Sequence, residues 1–172
     1  MPNYRRLYVP GGTYFFTVNL QDRRQTLLVD HIDILRTVYG RVQKRHPFKT
    51  IAICIMPNHL HCIWQLPDGD ADFSRRWRLI KTGFSKALSQ KGLGVQGRRD
   101  GESGIWQRRF WEHMIGGEAE LDDYIAYIYF NPVKHGLVGE IADWPHSSWH
   151  KLAAGDYLSG GPATRKLETG EI

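Results

Sequence analysis

The stretch Met56-Pro-Asn-His-Leu-His-Cys-Ile-Trp64 constrains the chain most. Pro57-Asn58 is a turn signal, and His59 to Leu66 reads as a strand. Side chains on a strand alternate between its two faces. His59 and His61 therefore share one face with Ile63, while Leu60, Cys62, Trp64 and Leu66 occupy the other. Large apolar groups on both faces mark a buried strand. A buried strand carrying two histidines needs hydrogen-bond or metal partners for them.

The other elements follow from periodicity. Thr13 to Leu20 is β-branched and aromatic, follows Gly11-Gly12, and reads as a strand. Leu35, Val38, Tyr39 and Val42 recur with helical spacing within residues 31–46, and Thr50 to Met56 is a second strand. Ser74 is a candidate cap for a helix whose apolar face is Trp77, Ile80, Phe84 and Leu88. Residues 89–104 are Gly-rich and charged and read as a loop, and Ile105 to Ile115 as a fourth strand. Leu121, Tyr124, Ile125 and Ile128 mark a third helix. The order β-α-β-β-α-β-α predicts an α+β, ferredoxin-like (RRM-like) βαββαβ core with a four-stranded antiparallel sheet and an extra C-terminal helix. Residues 1–154 form one domain in this reading, and 155–172 a mobile tail.

Composition narrows the function classes. A 172-residue chain with 41% apolar residues supports a core without disulfide staples. No apolar run approaches a membrane span, and the N-terminus lacks a signal peptide's apolar core. Two cysteines fit a reducing cytoplasm, the expected location. The net charge of +5 hides an alternation. Residues 1–50 and 75–113 are strongly basic, while 51–74 and 114–150 are net acidic. Basic blocks with interleaved Trp and Phe point to a polyanion partner.

Three constellations carry chemistry. His59 and His61 can share one divalent ion, or be ordinary hydrogen-bonded histidines. In Tyr124-Ile-Ala-Tyr-Ile-Tyr-Phe-Asn-Pro-Val-Lys-His-Gly136, Tyr124 falls on the apolar stripe and reads as core. Tyr127 lies off it, with Asn131 four residues on, so a phenol and an amide oxygen lie close together. Asn131-Pro132 also reads as an N-cap followed by Pro at the first position of a separate short turn closed by Gly136. Pro132 further biases residue 131 out of a helix. Finally, Trp106-Gln-Arg-Arg-Phe-Trp-Glu-His113 mixes arginine and aromatic residues in a pattern suited to phosphates and bases.

Together these residues resemble the single-tyrosine HUH transposases, specifically the bacterial REP-associated tyrosine transposases. The likeness runs from Tyr4-Arg5-Arg6 and Gly11-Gly12-Thr13-Tyr14-Phe15-Phe16-Thr17 through Pro57-Asn58-His59-Leu60-His61 and Asp70-Ala71-Asp72-Phe73-Ser74-Arg75-Arg76-Trp77. It continues through Trp106–His113, Tyr127-Ile128, Asn131–Gly136, Asp143-Trp144-Pro145 and Ser147-Ser148. Tyr129 departs from the family pattern, which often has His there, and adds a second phenol.

The resemblance implies His59, His61 and Asn131 as ligands of Mg²⁺ or Mn²⁺, and Tyr127 as nucleophile, on a helix near the histidine face. It implies a single-stranded DNA endonuclease and strand transferase acting beside REP-type hairpins through a 5′-phosphotyrosine, as monomer or homodimer, associated with the nucleoid when bound to DNA. Arg5, Arg6, Arg75, Arg76, Arg78, Lys81, Arg108 and Arg109 are the candidate phosphate contacts. Glu112 and His113 are candidates for the base. Two alternatives are a non-catalytic nucleic-acid binding module on the same fold and a metallohydrolase that uses water.

Overall fold

The computed structural model describes residues 5–93 and 104–155. Tyr4, most of the Gly-rich loop and the tail from residue 156 lie outside them. The elements are β1 (Thr13–Asn19), α1 (Leu27–Asp30), α2 (Ile32–Arg45), β2 (Lys49–Ile55), β3 (His59–Gln65), α3 (Phe73–Gln90), β4 (Trp111–Met114), α4 (Glu118–Lys134), a 3₁₀ turn (Ile141–Asp143) and α5 (Trp149–Ala153). The strands form one antiparallel sheet in the order β2-β3-β1-β4, the ferredoxin-like arrangement.

Every residue of β3 except Gln65 is buried, because the sheet is covered on both faces. On one face Leu60, Cys62 and Trp64 pack with Phe16, Phe73, Trp77, Ile80 and Phe84, beneath α2 and α3. Trp64 stacks on Trp77 at 4.3 Å between ring centroids. On the other face Ile63 packs with Phe15, Ala52, Cys54, Ile128 and Tyr129, beneath α4. Residues 146–148 run along the outer edge of β2: Ile55 N–H donates to His146 O and Ser148 N–H to Ile53 O. An edge strand that would expose unpaired backbone is thereby covered.

Four details differ from the sequence reading. The cap of α3 is Asp72, not Ser74: Asp72 accepts from Arg75 N–H at 2.9 Å. The fourth strand is regular only over Trp111–Met114; upstream, Trp106 makes an isolated bridge to Leu20. The helix α3 continues to Gln90, into the segment read as loop. Most importantly, α4 runs unbroken through Asn131 and Pro132 to Lys134. Proline leaves the Ile128 carbonyl without its usual donor and disfavours helix at Asn131. Burial of Ile128, Tyr129, Asn131 and Pro132 against the sheet overrides that local preference. The helix ends at Gly136, whose φ of 69° is the left-handed conformation glycine accepts readily.

Arg76 is a further correction. It is buried, and its guanidinium makes five hydrogen bonds, to Asp70 twice and to the carbonyls of His46, Pro47 and Asp72. A guanidinium has five N–H donors, so none remains for a phosphate. Arg76 fastens the Pro67–Asp72 turn and the α2–β2 connection to α3. The salt bridge holds the Asp70 carboxyl below its usual range, chiefly through its hydrogen bonds to Arg76. We expect Arg76→Ala to lose ~3 kcal/mol by unpairing these groups, seen as a thermal midpoint lower by about 10 °C.

Candidate active site

The antiparallel register sets Thr17 opposite His61 and Asn19 opposite His59. These side chains face α4. Each imidazole is oriented by a neighbouring oxygen. Asn58 Oδ1 lies 2.6 Å from His59 Nδ1, and Thr17 Oγ1 lies 2.8 Å from His61 Nδ1. The amide oxygen is an acceptor only, so His59 carries its proton on Nδ1 and presents the Nε2 lone pair. The rings stand 4.9 Å apart, nearly perpendicular. Burial pushes the His59 imidazole down to about 4, helped by the positive charge of Arg23 and by His135. Burial and the neighbouring His59 push His61 down to about 3. Both rings are therefore neutral at physiological pH, the form that binds a cation.

The unbroken helix brings two α4 side chains to this face. Residues four apart share one side of a helix. The Tyr127 ring meets the His61 ring edge-on at 5.3 Å. Asn131 is fully buried and close enough to both imidazoles to oppose their loss of basicity. Yet neither its Oδ1 nor its Nδ2 makes a hydrogen bond of normal geometry. An unpaired amide oxygen costs ~1–3 kcal/mol, which a cation on Oδ1 would relieve. Two neutral imidazoles and an unsatisfied amide oxygen form a donor set that fits a divalent ion.

The two other phenols divide by burial. Tyr129 is buried and its hydroxyl lies 3.0 Å from Ser148 Oγ, which also accepts Ile53 N–H at 2.9 Å. It is packed in the core, with its hydroxyl turned to the segment that covers the β2 edge. Tyr124, read as core, is half-buried and stacks on Phe15 at 4.5 Å. The candidate bases separate as well. Glu112 pairs with Phe16 in the register, so it points to the sheet face opposite Tyr127, where Arg6 Nε lies 3.5 Å away. This removes Glu112 as a base for Tyr127. His113 is on the correct face, but its Nε2 meets Glu120 Oε1 at 2.6 Å and its ring lies beside Tyr124.

The cationic candidates lie mainly on the other side of the sheet. Arg6, Arg78, Lys81, Lys86 and Arg108 line a groove of about 610 Å³ between α3 and residues 104–110, with Trp106 and Phe110. Arg78 and Arg108 are exposed there, as are Arg5, Arg75 and Arg109 elsewhere. Arg6 donates to Ser74 Oγ and sits 4.1 Å over the Phe110 ring. Lys81 Nζ bonds the carbonyls of Gln107 and Arg108.

Four residues near the histidines escaped the sequence reading. Thr17 and Asn58 orient the imidazoles. His135 lies 5.3 Å from His59, ring to ring, and Lys134 Nζ lies 5.3 Å from the Tyr127 ring centre. Thr17 is found only by pairing strands. Lys134 and His135 share the Tyr127 face only because α4 is continuous.

Comparison with known proteins identifies the family. The family model described as "Transposase IS200 like" matches residues 9–131. A REP-associated tyrosine transposase of Escherichia coli K12 is 46% identical over 154 residues, 90% of this chain and 86% of that protein. A Haemophilus influenzae protein given the same family name is 46% identical over 153 residues, 88% of this chain and 87% of its own. The solved structure of a REP-associated tyrosine transposase bound to a REP hairpin superposes with a TM-score of 0.81 at 44% identity, covering 94% of this chain and 93% of that one. Helix α5 and residues 132–155 fall outside the family model but inside the described fold. The family match over residues 9–131 and the 46% identity over about nine-tenths of the chain place it in the IS200-like transposase family, among the REP-associated tyrosine transposases.

Proposed function

We propose that the protein cuts and rejoins single-stranded DNA beside REP-type hairpins, with Tyr127 as nucleophile and His59, His61 and Asn131 holding Mg²⁺ or Mn²⁺. The observation that carries this reading is the orphaned Asn131 amide, buried beside two neutral imidazoles and one helical turn from Tyr127. A REP hairpin is bound by the superposed relative, which supports the same partner for this chain.

The chemistry follows from the residue types. A phosphodiester's negative charge repels nucleophiles. A divalent ion at this site supplies Lewis-acid polarisation of a nonbridging phosphate oxygen. Tyr127 Oη forms a bond to phosphorus, the P–O3′ bond breaks, and the 3′ oxygen takes up a proton as a 3′-OH. The phenol's proton passes to solvent or a nearby acceptor, since a phenol is mostly protonated at neutral pH. The 5′-phosphotyrosine conserves the bond energy, so a 3′-OH can attack it and rejoin strands with no external energy source. Thr17 and Asn58 hold the imidazoles in place for this step.

Incubation of wild-type protein with a labelled hairpin-bearing single strand and Mn²⁺ is expected to leave a covalent band on a denaturing gel. Tyr127→Phe should abolish that band and Tyr129→Phe should retain it. Cleavage without a band would support the hydrolase reading, and binding without cleavage the non-catalytic module.

Mn²⁺ titration followed by electron paramagnetic resonance tests the ligand set directly. Asn131→Ala should weaken Mn²⁺ at least ~10-fold, in the range seen when metal-site partners are lost.

Binding to the hairpin should weaken with salt. Arg78→Ala is expected to lower the logarithmic salt slope by about 1, uniformly across sequences. An unchanged slope would remove the α3 groove from the binding surface.

A further inference from the structure

A second cleft opens directly against the Tyr127 ring. It encloses about 380 Å³ and is lined by Phe15, Thr17, Trp111, Asp123, Tyr124 and Tyr127. Four of these six side chains are aromatic and none is cationic. Phe15 is buried at its floor, with Tyr124 stacked on it at 4.5 Å and Trp111 edge-on at 5.6 Å. Trp111 is 47% exposed, among the most exposed large apolar residues in the described structure. It lies on the last strand of the sheet, opposite Thr17, so it stands on the same face as His61.

We infer that this cleft is a nucleobase slot, which takes the base adjoining the phosphate to be cut and stacks it on Trp111. The inference rests on the proposed role of Tyr127 for its position, but the slot stands on its own geometry. Its size and flat aromatic walls suit a purine or pyrimidine, whose face stacks on such rings whatever its identity. Its lining holds aromatic rings and no cation, which suits the flat face of a neutral base better than a phosphate. Continuity does the rest. Tyr127 is a wall of the slot and also touches His61, so a base held in the slot brings its own phosphate to the phenol. Trp111 would thereby set where the strand is cut, a task the cations of the α3 groove cannot perform from the opposite face.

The test uses 2-aminopurine, a fluorescent base quenched by stacking. It is placed in turn at each position of the single strand beside the hairpin and mixed with Tyr127→Phe protein, which keeps the ring and leaves the strand uncut. One position is expected to be quenched on binding. The quench should vanish when Trp111→Ala is added and persist with Trp111→Phe. Affinity for the full strand should fall about tenfold with Trp111→Ala, the order of effect for a lost base–aromatic stack. Affinity for the bare hairpin should stay unchanged. The slot is overturned if no position is quenched, if the quench survives Trp111→Ala, or if Trp111→Ala weakens the bare hairpin equally. A position-specific quench from a protein that forms no covalent adduct would keep the slot and sink the nucleophile, so the two failures are distinguishable.

Discussion

Burial of β3 on both faces is the constraint from which the site follows. One face is sealed by the Trp64–Trp77 stack and the aromatic core beneath α2 and α3. The other is sealed by α4 over Ile63, Ile128 and Tyr129. Each large apolar side chain so buried contributes roughly 1.5–3 kcal/mol. That burial carries His59 and His61 out of water and holds them neutral. Without the second layer the same two histidines would be solvated and readily protonated.

The second layer also supplies the partners. Helix α4 must be straight through Asn131 for its amide to reach the imidazoles while Tyr127 stays one turn away. Pro132 opposes this locally, and the packing of Pro132, Tyr129 and Ile128 opposes it back with greater weight. Ser148 completes the arrangement from outside: it covers the β2 edge and meets the Tyr129 hydroxyl. The Tyr129 phenol is therefore accommodated as a core group, and Tyr127 is left as the phenol against the histidines.

Charge is divided by the sheet. The groove that gathers Arg6, Arg78, Lys81, Lys86 and Arg108 lies on the α3 side, and the histidine–tyrosine site lies on the α4 side. Trp111 is exposed on β4, the edge strand of the sheet. The two clefts are therefore chemically distinct: cations gather in the groove on the α3 side, while aromatic rings line the cleft beside Tyr127.

What the sequence determined by itself was everything carried by local period. Alternation put both histidines on one face, helical spacing found α2, α3 and the tyrosine helix, and the order of elements predicted the ferredoxin-like core. Tertiary structure decided what depends on contacts distant in the chain. Local signals at Asn131-Pro132 favoured a cap and a new turn, and only packing on the sheet kept the residue helical. Arg76 looks like its exposed neighbours Arg75 and Arg78, but its place on the buried face of α3 commits all five of its donors to Asp70 and three carbonyls. Glu112 and His113 are adjacent in sequence, and strand pairing sends them to opposite faces. The physical reason is common to all: propensity and periodicity act over a few residues, whereas burial and hydrogen-bond satisfaction are set by whatever the finished fold brings against each side chain.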